Sequence, residues 1–203
     1  MPFNKLNDSI KESLARLQME NPTPFQQKAI AKIKSGGNLF GIGKQGCGKT
    51  TTLIINTLQK LNCKAGGNAP RALLIVKNKE AVHDLYQQFA GFTKFTDLRV
   101  YMGYEELHID IQKSEIFLGI DILISTPKNI QKLFFLNGAS TSQLKIFAID
   151  DAHLLVDRQE LSALMLVSEG IKKCQYVVMT EKLTPKLERL QDYFMENALT
   201  VKL

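Results

Sequence analysis

One ten-residue stretch constrains the fold of this chain more than any other part of it. Residues 43–52 read GKQGCGKTTT, which fits the spacing G-x-x-x-x-G-K-[ST] of a phosphate-binding loop. Glycines let the backbone curl so that several N–H groups point at one anion, and a following helix adds its positive N-terminal end. The apolar run at 38–42 and the helical pattern at 50–61 supply the flanking strand and helix that such a loop needs. A glycine-rich turn that binds nothing is the weaker alternative.

The loop residues have distinct expected parts. Lys49 would reach the β- and γ-phosphates of a nucleotide, and Thr50 would offer its hydroxyl to Mg²⁺. The other loop residues expected to surround the phosphates are Gly43, Lys44, Gln45, Gly46, Cys47, Gly48 and Thr51.

The composition is that of an ordinary folded domain. The chain has 203 residues, of which 44% are hydrophobic and 23% charged, enough for one domain with a sizeable core. No apolar run approaches 18 residues and the N-terminus lacks a long apolar stretch, so we expect neither a membrane span nor a signal peptide. Three cysteines without metal-like spacing favour free thiols in a reducing, cytoplasmic location.

Basic residues are concentrated in the first half of the chain. Residues 1–100 hold 15 Lys and Arg against 6 Asp and Glu, whereas residues 101–203 hold 11 against 14. A basic half that contains a phosphate loop favours polyanionic ligands, either nucleotide, nucleic acid or both. Lysines that only solvate helix faces are an equal alternative. Only 5 of the 26 basic residues are Arg, so bidentate reading of bases is not expected.

Short apolar runs alternate with helical patterns along the chain. The predicted strands lie at 38–42, 72–76, 98–102, 121–125, 145–149, 175–179 and 199–203. The predicted helices lie at 7–19, 24–34, 50–61, 79–90, 105–117, 128–136, 160–172 and 185–197. Near-continuous apolar strands between helices indicate an α/β domain, with a mostly parallel sheet of about seven strands and helices on both faces. We assign residues 37–203 to this domain and residues 1–36 to an N-terminal helical attachment.

Two adjacent carboxylates follow the predicted strand at 145–149. Ligands of parallel sheets gather at the carboxyl ends of strands, where the phosphate loop also lies. Asp150 is therefore the expected Mg²⁺ ligand together with Thr50, and Asp151 is expected to orient an attacking water. Lys49, Asp150 and Asp151 are the predicted catalytic residues. The alternative is that one carboxylate only caps the next helix.

Three motifs occur in an order known from one protein family. They are the phosphate loop, Asp-Asp-Ala-His at 150–153, and Pro-Thr-Pro-Phe-Gln at 22–26. Together they resemble a DEAD-box RNA helicase, specifically its first RecA-like domain, over essentially the whole chain from Phe3 to Leu203. The resemblance implies ATP and Mg²⁺ as cofactors and RNA as a partner. It also implies that Gln26 reads the adenine edge and that Phe3 packs on the base; a helix N-terminal residue and a core residue are the respective alternatives.

Two further segments resemble places where this family grips the RNA backbone. Residues 76–80 stand where the family has Pro-Thr-Arg-Glu-Leu-Ala, and residues 125–129 are similar to its Thr-Pro-Gly-Arg motif. The RNA contacts that the resemblance implies are Lys77, Asn78, Lys79, Thr126, Pro127 and Lys128. His153 and Thr180 would couple the nucleotide site to the rest of the motor.

The chain also departs from the family pattern. Asp151 replaces the catalytic Glu, and Thr-Glu-Lys at 180–182 replaces Ser-Ala-Thr. Tyr104 replaces a glycine, while Lys79 and Asn129 replace arginines of the RNA motifs. These changes are expected to affect unwinding more than nucleotide binding.

The family's second RecA-like domain has no counterpart in this sequence. In the resemblance that domain supplies arginines to the γ-phosphate and half of the RNA groove. We therefore expect hydrolysis to need a second domain in cis or a partner in trans, with little or no turnover by this chain alone. The alternative is a catalytically degenerate helicase-like module that regulates a partner. A phosphate-loop kinase would need an acceptor lid, for which the sequence offers no segment.

Overall fold

The computed structural model describes residues 2–155 and 157–203. Its strands are β1 (Leu39–Ile42), β2 (Ala72–Ile75), β3 (Val100–Gly103), β4 (Ile122–Ser125), β5 (Ile146–Ile149), β6 (Gln175–Thr180) and β7 (Leu199–Lys202). Its α-helices are α1 (Asp8–Arg16), α2 (Pro24–Lys34), α3 (Lys49–Lys60), α4 (Lys79–Thr93), α5 (Ile109–Gly119), α6 (Pro127–Phe135), α7 (Arg158–Glu169) and α8 (Pro185–Glu188). Short 3₁₀ helices lie at Pro2–Lys5, Ala152–Leu154 and Arg189–Asp192. In these ranges no helix combines the length and apolar character needed to cross a membrane.

The seven strands form one sheet in the order β3-β4-β2-β5-β6-β1-β7. Every pairing described is parallel. The prediction of an α/β fold with about seven strands is therefore confirmed. Because the strands are parallel, the loops that follow β1, β2, β4, β5 and β6 all leave the same edge of the sheet, where ligands of such folds bind.

Helices cover both faces of the sheet. Successive residues of each strand enter two separate apolar clusters, as the two-residue period of a strand requires: in β2, Leu74 joins one cluster, and Leu73 and Ile75 join the other. The first cluster takes its helical residues from α1–α4, and the second takes them from α5–α8. Burial on both faces explains why the strands read as near-continuous apolar runs.

The N-terminal segment packs as part of this domain. Phe3, Leu6, Ile10 and Leu14 are buried in the same cluster as α3 and α4. The side chain of Gln175 at the start of β6 donates hydrogen bonds to the carbonyl of Ile33 in α2 at 2.7 Å and to that of Gly37, just after the segment, at 2.8 Å. The segment is thus fixed by both apolar packing and buried hydrogen bonds.

The predicted helix at 105–117 begins later, at Ile109. The reason is a buried side chain: Gln112 Nε2 donates to the carbonyls of Tyr104 and Leu107, at 3.1 and 2.9 Å. These bonds hold residues 104–108 in a turn before the helix starts.

The predicted helix at 185–197 is wrong beyond its first turn. Only Pro185–Glu188 is α-helical, and a 3₁₀ turn follows. The carbonyl of Leu190 accepts from the N–H groups of Tyr193, Phe194 and Met195, which closes the helical segment. Asn197 then adopts a left-handed backbone with φ of 54°, and the chain turns into β7. Leu187, Leu190 and Phe194 have helical spacing and are all buried, but only Leu187 lies in the α-helix.

Candidate functional site

The phosphate-loop sequence connects β1 to α3 as predicted. Gly43 N donates to the carbonyl of Thr180 at 3.0 Å, so the loop starts anchored to the end of β6. Lys49 is buried, and its Nζ donates to the carbonyls of Gly43 at 2.8 Å and Lys44 at 3.2 Å. The loop therefore wraps around its own lysine, which keeps the ammonium group at the place where phosphates would bind.

Gly48 lies between this loop and the start of α2. Its φ is +97°, and a Cβ there would lie 2.8 Å from Gln26 Nε2 and 3.1 Å from Thr23 Oγ1. Both the backbone conformation and the close approach require glycine. Gln26 is therefore brought to the phosphate loop, where a nucleotide ligand would be expected.

Gln26 has a structural part at this point. Its backbone N–H donates to Thr23 Oγ1 at 3.2 Å and its Oε1 accepts from Thr23 N at 2.9 Å, which is a capping box for α2. Thr23 Oγ1 in turn donates to the carbonyl of Cys47 in the phosphate loop at 2.7 Å. Gln26 is thus a helix N-terminal residue in the structure, as the alternative to adenine recognition predicted. Its contact with adenine stays a prediction. Thr23 is not among the predicted site residues, although the T-x-x-Q spacing of residues 23–26 signals this capping box.

Phe3 is a core residue. It is buried in the cluster of α1–α4 and lines a separate cavity of about 250 Å³ with Asn4, Leu14 and other residues of the N-terminal segment. Its contact with a nucleotide base stays a prediction.

Asp150 lies at the carboxyl end of β5, opposite the start of α3. Thr50 Oγ1 donates to Asp150 Oδ2 at 2.7 Å, and the N–H of Asp151 donates to Asp150 Oδ1 at 3.1 Å. Burial raises the pKa of the Asp150 carboxyl to about 6; the charge of Asp151 adds to this, while the Thr50 hydrogen bond and Lys49 oppose it. The two predicted metal ligands therefore meet directly.

Asp151 faces the phosphate-loop lysine. Its Oδ1 is 3.9 Å from Lys49 Nζ, and its side chain is about half exposed. Its backbone is left-handed, with φ of 45°, a conformation that Asp tolerates better than most residues. It precedes the 3₁₀ turn at 152–154 without making a side-chain capping bond, so its carboxylate remains available to the cleft.

These groups open onto one cleft of about 400 Å³. Its volume suits a small-molecule ligand. The predicted residues that line it are Gln45, Gly46, Gly48, Lys49, Thr50, Thr51, Lys77, Asp150 and Asp151. Three side chains of α4 outside the predicted set, Asp84, Leu85 and Gln88, complete the lining together with Val76, Ala81 and Leu154.

The predicted coupling residues lie beside each other at the ends of β5 and β6. His153 Nδ1 accepts from the backbone N–H of Glu181 at 3.3 Å, and His153 Nε2 is 3.8 Å from the Glu181 carboxylate. Thr180 Oγ1 donates to the carbonyl of Lys182 at 2.8 Å. Since the Thr180 carbonyl also accepts from Gly43 N, the ends of β5, β6 and the phosphate loop are linked.

The predicted RNA contacts lie at the starts of two helices that leave the same edge of the sheet. Asn78 caps α4 by accepting from Ala81 N, and Thr126 caps α6, with Pro127 as its first residue. Lys77 and Lys128 are exposed next to these caps. Exposed lysines at helix N-termini are a suitable arrangement for backbone phosphates.

Asn129, at the position of a family arginine, points into the protein. It is 1% exposed, and its side-chain amide exchanges hydrogen bonds with that of Gln112, at 2.8 and 3.2 Å. Asn129 Nδ2 also donates to Ser125 Oγ, which donates to the carbonyl of Gly103. This position thus forms a buried polar network and presents no cation to a ligand.

Comparisons with known proteins identify the family of the chain. A family model described as DEAD/DEAH box helicase matches residues 23–190. The probable ATP-dependent RNA helicase ddx42 of Dictyostelium discoideum is 27% identical over 154 residues, covering 74% of this chain and 16% of that protein. Human DDX46, also named a probable ATP-dependent RNA helicase, is 26% identical over 87% of this chain and 18% of its own length. The ATP-dependent RNA helicase eIF4A of Yarrowia lipolytica is 26% identical over 76% of this chain and 38% of its own length.

A solved structure has the same fold. Dbp5 of S. cerevisiae, in a complex with Nup159, Gle1, IP6 and ADP, superposes with a TM-score of 0.87 at 17% identity, covering 98% of this chain and 52% of that one. The chain thus spans about half of this structural neighbour and well under half of the three relatives. Because the family model covers more than three quarters of the chain, we conclude that the chain belongs to the DEAD/DEAH box helicase family.

Proposed function

We propose that this chain binds ATP and RNA as the RecA-like domain of a DEAD-box helicase, and that hydrolysis of ATP needs Mg²⁺ and a second domain. The contact that carries the proposal is the 2.7 Å hydrogen bond between Thr50 and Asp150, beside Lys49 in a single cleft. The names of the relatives and the ADP in the Dbp5 structure support the choice of ligand class.

The residues of the cleft fit a magnesium ion. Thr50 and Asp150 present hard oxygen donors side by side, and a divalent cation would stabilise the buried carboxylate as an anion. Among the described residues, no group of three or more His, Cys, Asp or Glu could hold a metal. The pair of Thr50 and Asp150 matches Mg²⁺, which keeps several water ligands and needs only one or two protein carboxylates. When bound, the ion would neutralise charge on the β- and γ-phosphates.

Lys49 and Asp151 would change partners when the nucleotide binds. The ammonium of Lys49 would exchange the carbonyls of Gly43 and Lys44 for phosphate oxygens. Asp151 would leave Lys49 and accept a hydrogen bond from the attacking water. Its side chain is one methylene shorter than the family's Glu, and a misplacement of about 1 Å can cost on the order of 100-fold in rate. We therefore propose binding by this chain with little turnover on its own.

Titration calorimetry with Mg-ATP and Mg-GTP tests the nucleotide part of the proposal. The native chain is expected to prefer ATP, and Gln26→Ala is expected to remove that preference. Gln27→Ala is the matched control, since Gln27 is exposed and its side chain bonds only to the carbonyl of Pro22 in the contacts described. Equal affinity of the native chain for ATP and GTP would refute adenine recognition.

A single-stranded oligoribonucleotide tests the RNA part. Lys128→Ala is expected to weaken binding equally for different sequences and to reduce the slope of log K against log salt by about 0.7, the value for one phosphate contact on a single strand. Lys173→Ala, which removes an exposed lysine before β6 at the opposite edge of the sheet, is the control. An equal loss in both variants would show non-specific attraction in place of a defined RNA face.

A catalytically degenerate regulatory module is the second candidate, and the pairing of Asp151 with Lys49 favours it. Asp151→Glu in a protein that carries both RecA-like domains separates the two functions. A large gain in ATPase rate would indicate a weakened catalytic site, whereas an unchanged rate would indicate a domain that no longer hydrolyses ATP.

A further inference from the structure

A carboxylate of this chain lies at the start of α6, on the surface that the proposed function assigns to RNA. Thr126 Oγ1 donates to Glu105 Oε1 at 2.8 Å, and the same hydroxyl oxygen accepts from Asn129 N at 3.3 Å. Thr126 is 2% exposed, whereas Glu105 is exposed. The cap hydroxyl, at the positive end of the helix, is therefore already bonded to an anion that belongs to the protein.

A cation of the same surface is also engaged within the protein. Lys79 Nζ lies 5.2 Å from the ring centre of Tyr104, the residue before Glu105, which is a cation–π distance. The ring of His83 lies 5.2 Å from the same ring. Tyr104 thus holds the ammonium group of Lys79 against the protein surface, at a position where the proposed function needs a cation for RNA.

The loop that carries Tyr104 and Glu105 is fixed from beneath. Gln112 is fully buried and donates to the carbonyls of Tyr104 and Leu107, while its own carbonyl accepts from Asn129 Nδ2 at the start of α6. The loop and the helix start are therefore tied to one another through a single side chain. The contact between Glu105 and Thr126 follows from this fixed backbone, which places the two side chains opposite each other.

We propose that Glu105 is an intramolecular competitor of RNA: its carboxylate takes the position of a backbone phosphate at Thr126. The proposal rests on the RNA binding proposed above and adds what sets its strength. A phosphodiester that approaches Thr126 meets a like charge and a hydroxyl that is already used. Binding at this point requires Glu105 to leave Thr126, so the carboxylate lowers the affinity of the RNA face.

Fluorescence anisotropy with a single-stranded oligoribonucleotide, measured over a range of salt concentrations, tests this inference. Glu105→Gln is expected to bind about 2- to 5-fold more tightly than the native chain, the effect of one exposed charge at a helix N-terminus. The slope of log K against log salt is expected to steepen by about 0.7, because one further phosphate is bound. Glu105→Ala, which also removes the hydrogen bond to Thr126, is expected to bind at least as tightly.

Glu106→Gln is the matched control, since Glu106 is the next residue and is also exposed. It makes the same change in net charge without touching Thr126 in the contacts described. Equal gains from Glu105→Gln and Glu106→Gln would overturn the proposal, because long-range charge would then explain both.

RNA binding by the native chain and by the Glu105 variants distinguishes the competitor from the RNA function itself. If the native chain binds RNA through Lys128 and Glu105→Gln binds no more tightly, the competitor is refuted and the RNA function stands. If neither the native chain nor Glu105→Ala binds RNA at low salt, both the competitor and the RNA function are refuted.

Discussion

The ionised carboxylate of Asp150 destabilises the folded chain at neutral pH. Burial opposes its negative charge, and the hydrogen bond from Thr50 compensates only in part, so the pKa of its carboxyl rises from 3.8 to about 6. A buried carboxylate with this environment is typical of a site that receives a cation. The same environment has a measurable consequence for stability.

Asp150→Asn is expected to stabilise the chain at neutral pH when no divalent cation is present. Because the folded-state pKa lies above the unfolded value, the native carboxyl stabilises the fold below about pH 4, and that contribution is lost as pH rises through 6. The variant should therefore gain about 1–3 kcal/mol at pH 7.5 and little at pH 4. Denaturant unfolding between pH 4 and 8 measures this difference. Asp192→Asn, at an exposed carboxylate, is the control, and a pH-independent gain for Asp150→Asn would contradict the explanation.

Alanine substitutions at Gly48 and Gly46 distinguish the effect of backbone strain from the effect of contact with Gln26. Both have positive φ, at +97° and +80°, but a Cβ on Gly46 meets nothing within 4 Å, whereas one on Gly48 would displace the Gln26 amide. Each Gly→Ala change is expected to cost on the order of 1 kcal/mol in unfolding free energy through its left-handed backbone. Both glycines line the cleft, so both variants should weaken nucleotide binding, and Gly48→Ala should weaken it further because its Cβ displaces the Gln26 amide. Identical nucleotide affinities of the two variants would show that Gln26 has no part in binding.

At the scale of elements, the start of α2 is joined to the phosphate loop by one hydroxyl. Thr23 Oγ1 accepts from Gln26 N and donates to the carbonyl of Cys47. The helix cap and the loop therefore share a single side chain, so the orientation of Gln26 depends on the loop conformation. Any ligand that rearranges the loop will act on α2 through this contact.

Thr23→Ala is expected to destabilise the chain by about 1–2 kcal/mol, since a helix cap and a hydrogen bond are lost together. It should also lower the affinity for ATP, because Gln26 is no longer held beside the loop. Asn7 caps α1 by accepting from Ser9 N with its side chain. Asn7→Ala is therefore expected to lower the unfolding free energy by about 1 kcal/mol without changing the affinity for ATP. Urea unfolding and ATP calorimetry on both variants check these outcomes, and an unchanged ATP affinity in Thr23→Ala would disprove the connection.

The elements were predictable where one local pattern decides the structure. Every strand lies within about two residues of its predicted range, because both faces are buried and the apolar runs are short. The start of α5 and the end of α8 were not, because hydrogen bonds within turns, from the buried side chain of Gln112 and to the carbonyl of Leu190, override the helical spacing of the apolar residues.

The site shows the same division between local and distant signals. Lys49, Thr50 and Asp150 converge as predicted, since motifs at the ends of parallel strands meet at one edge. The pairs Glu105–Thr126 and Lys79–Tyr104 join residues more than 20 positions apart that share no motif. Contacts of this kind follow only from the packed structure.

At the scale of the whole molecule, the N-terminal helices and the sheet share one apolar core. Residues 1–36 were predicted as an attachment to the α/β domain, and α1 and α2 pack against α3 and α4 in the same cluster. Apolar packing of this extent favours one cooperative folding unit. The boundary at residue 36 is therefore a boundary in the sequence pattern and does not divide the apolar core. A stability measurement can test whether the two parts unfold together.

Leu14→Ala in α1 and Leu58→Ala in α3 provide that test. Both side chains are nearly fully buried, 3% and 0% exposed, in the same cluster. If the chain is one cooperative unit, each variant should lose about 2–5 kcal/mol of unfolding free energy, with a single urea transition and an unchanged dependence on urea concentration. If residues 1–36 were a detachable arm, Leu14→Ala would leave the main transition in place and add an earlier, smaller one. Urea titrations followed by circular dichroism distinguish the two, because only a shared core lets a cavity in α1 destabilise the sheet.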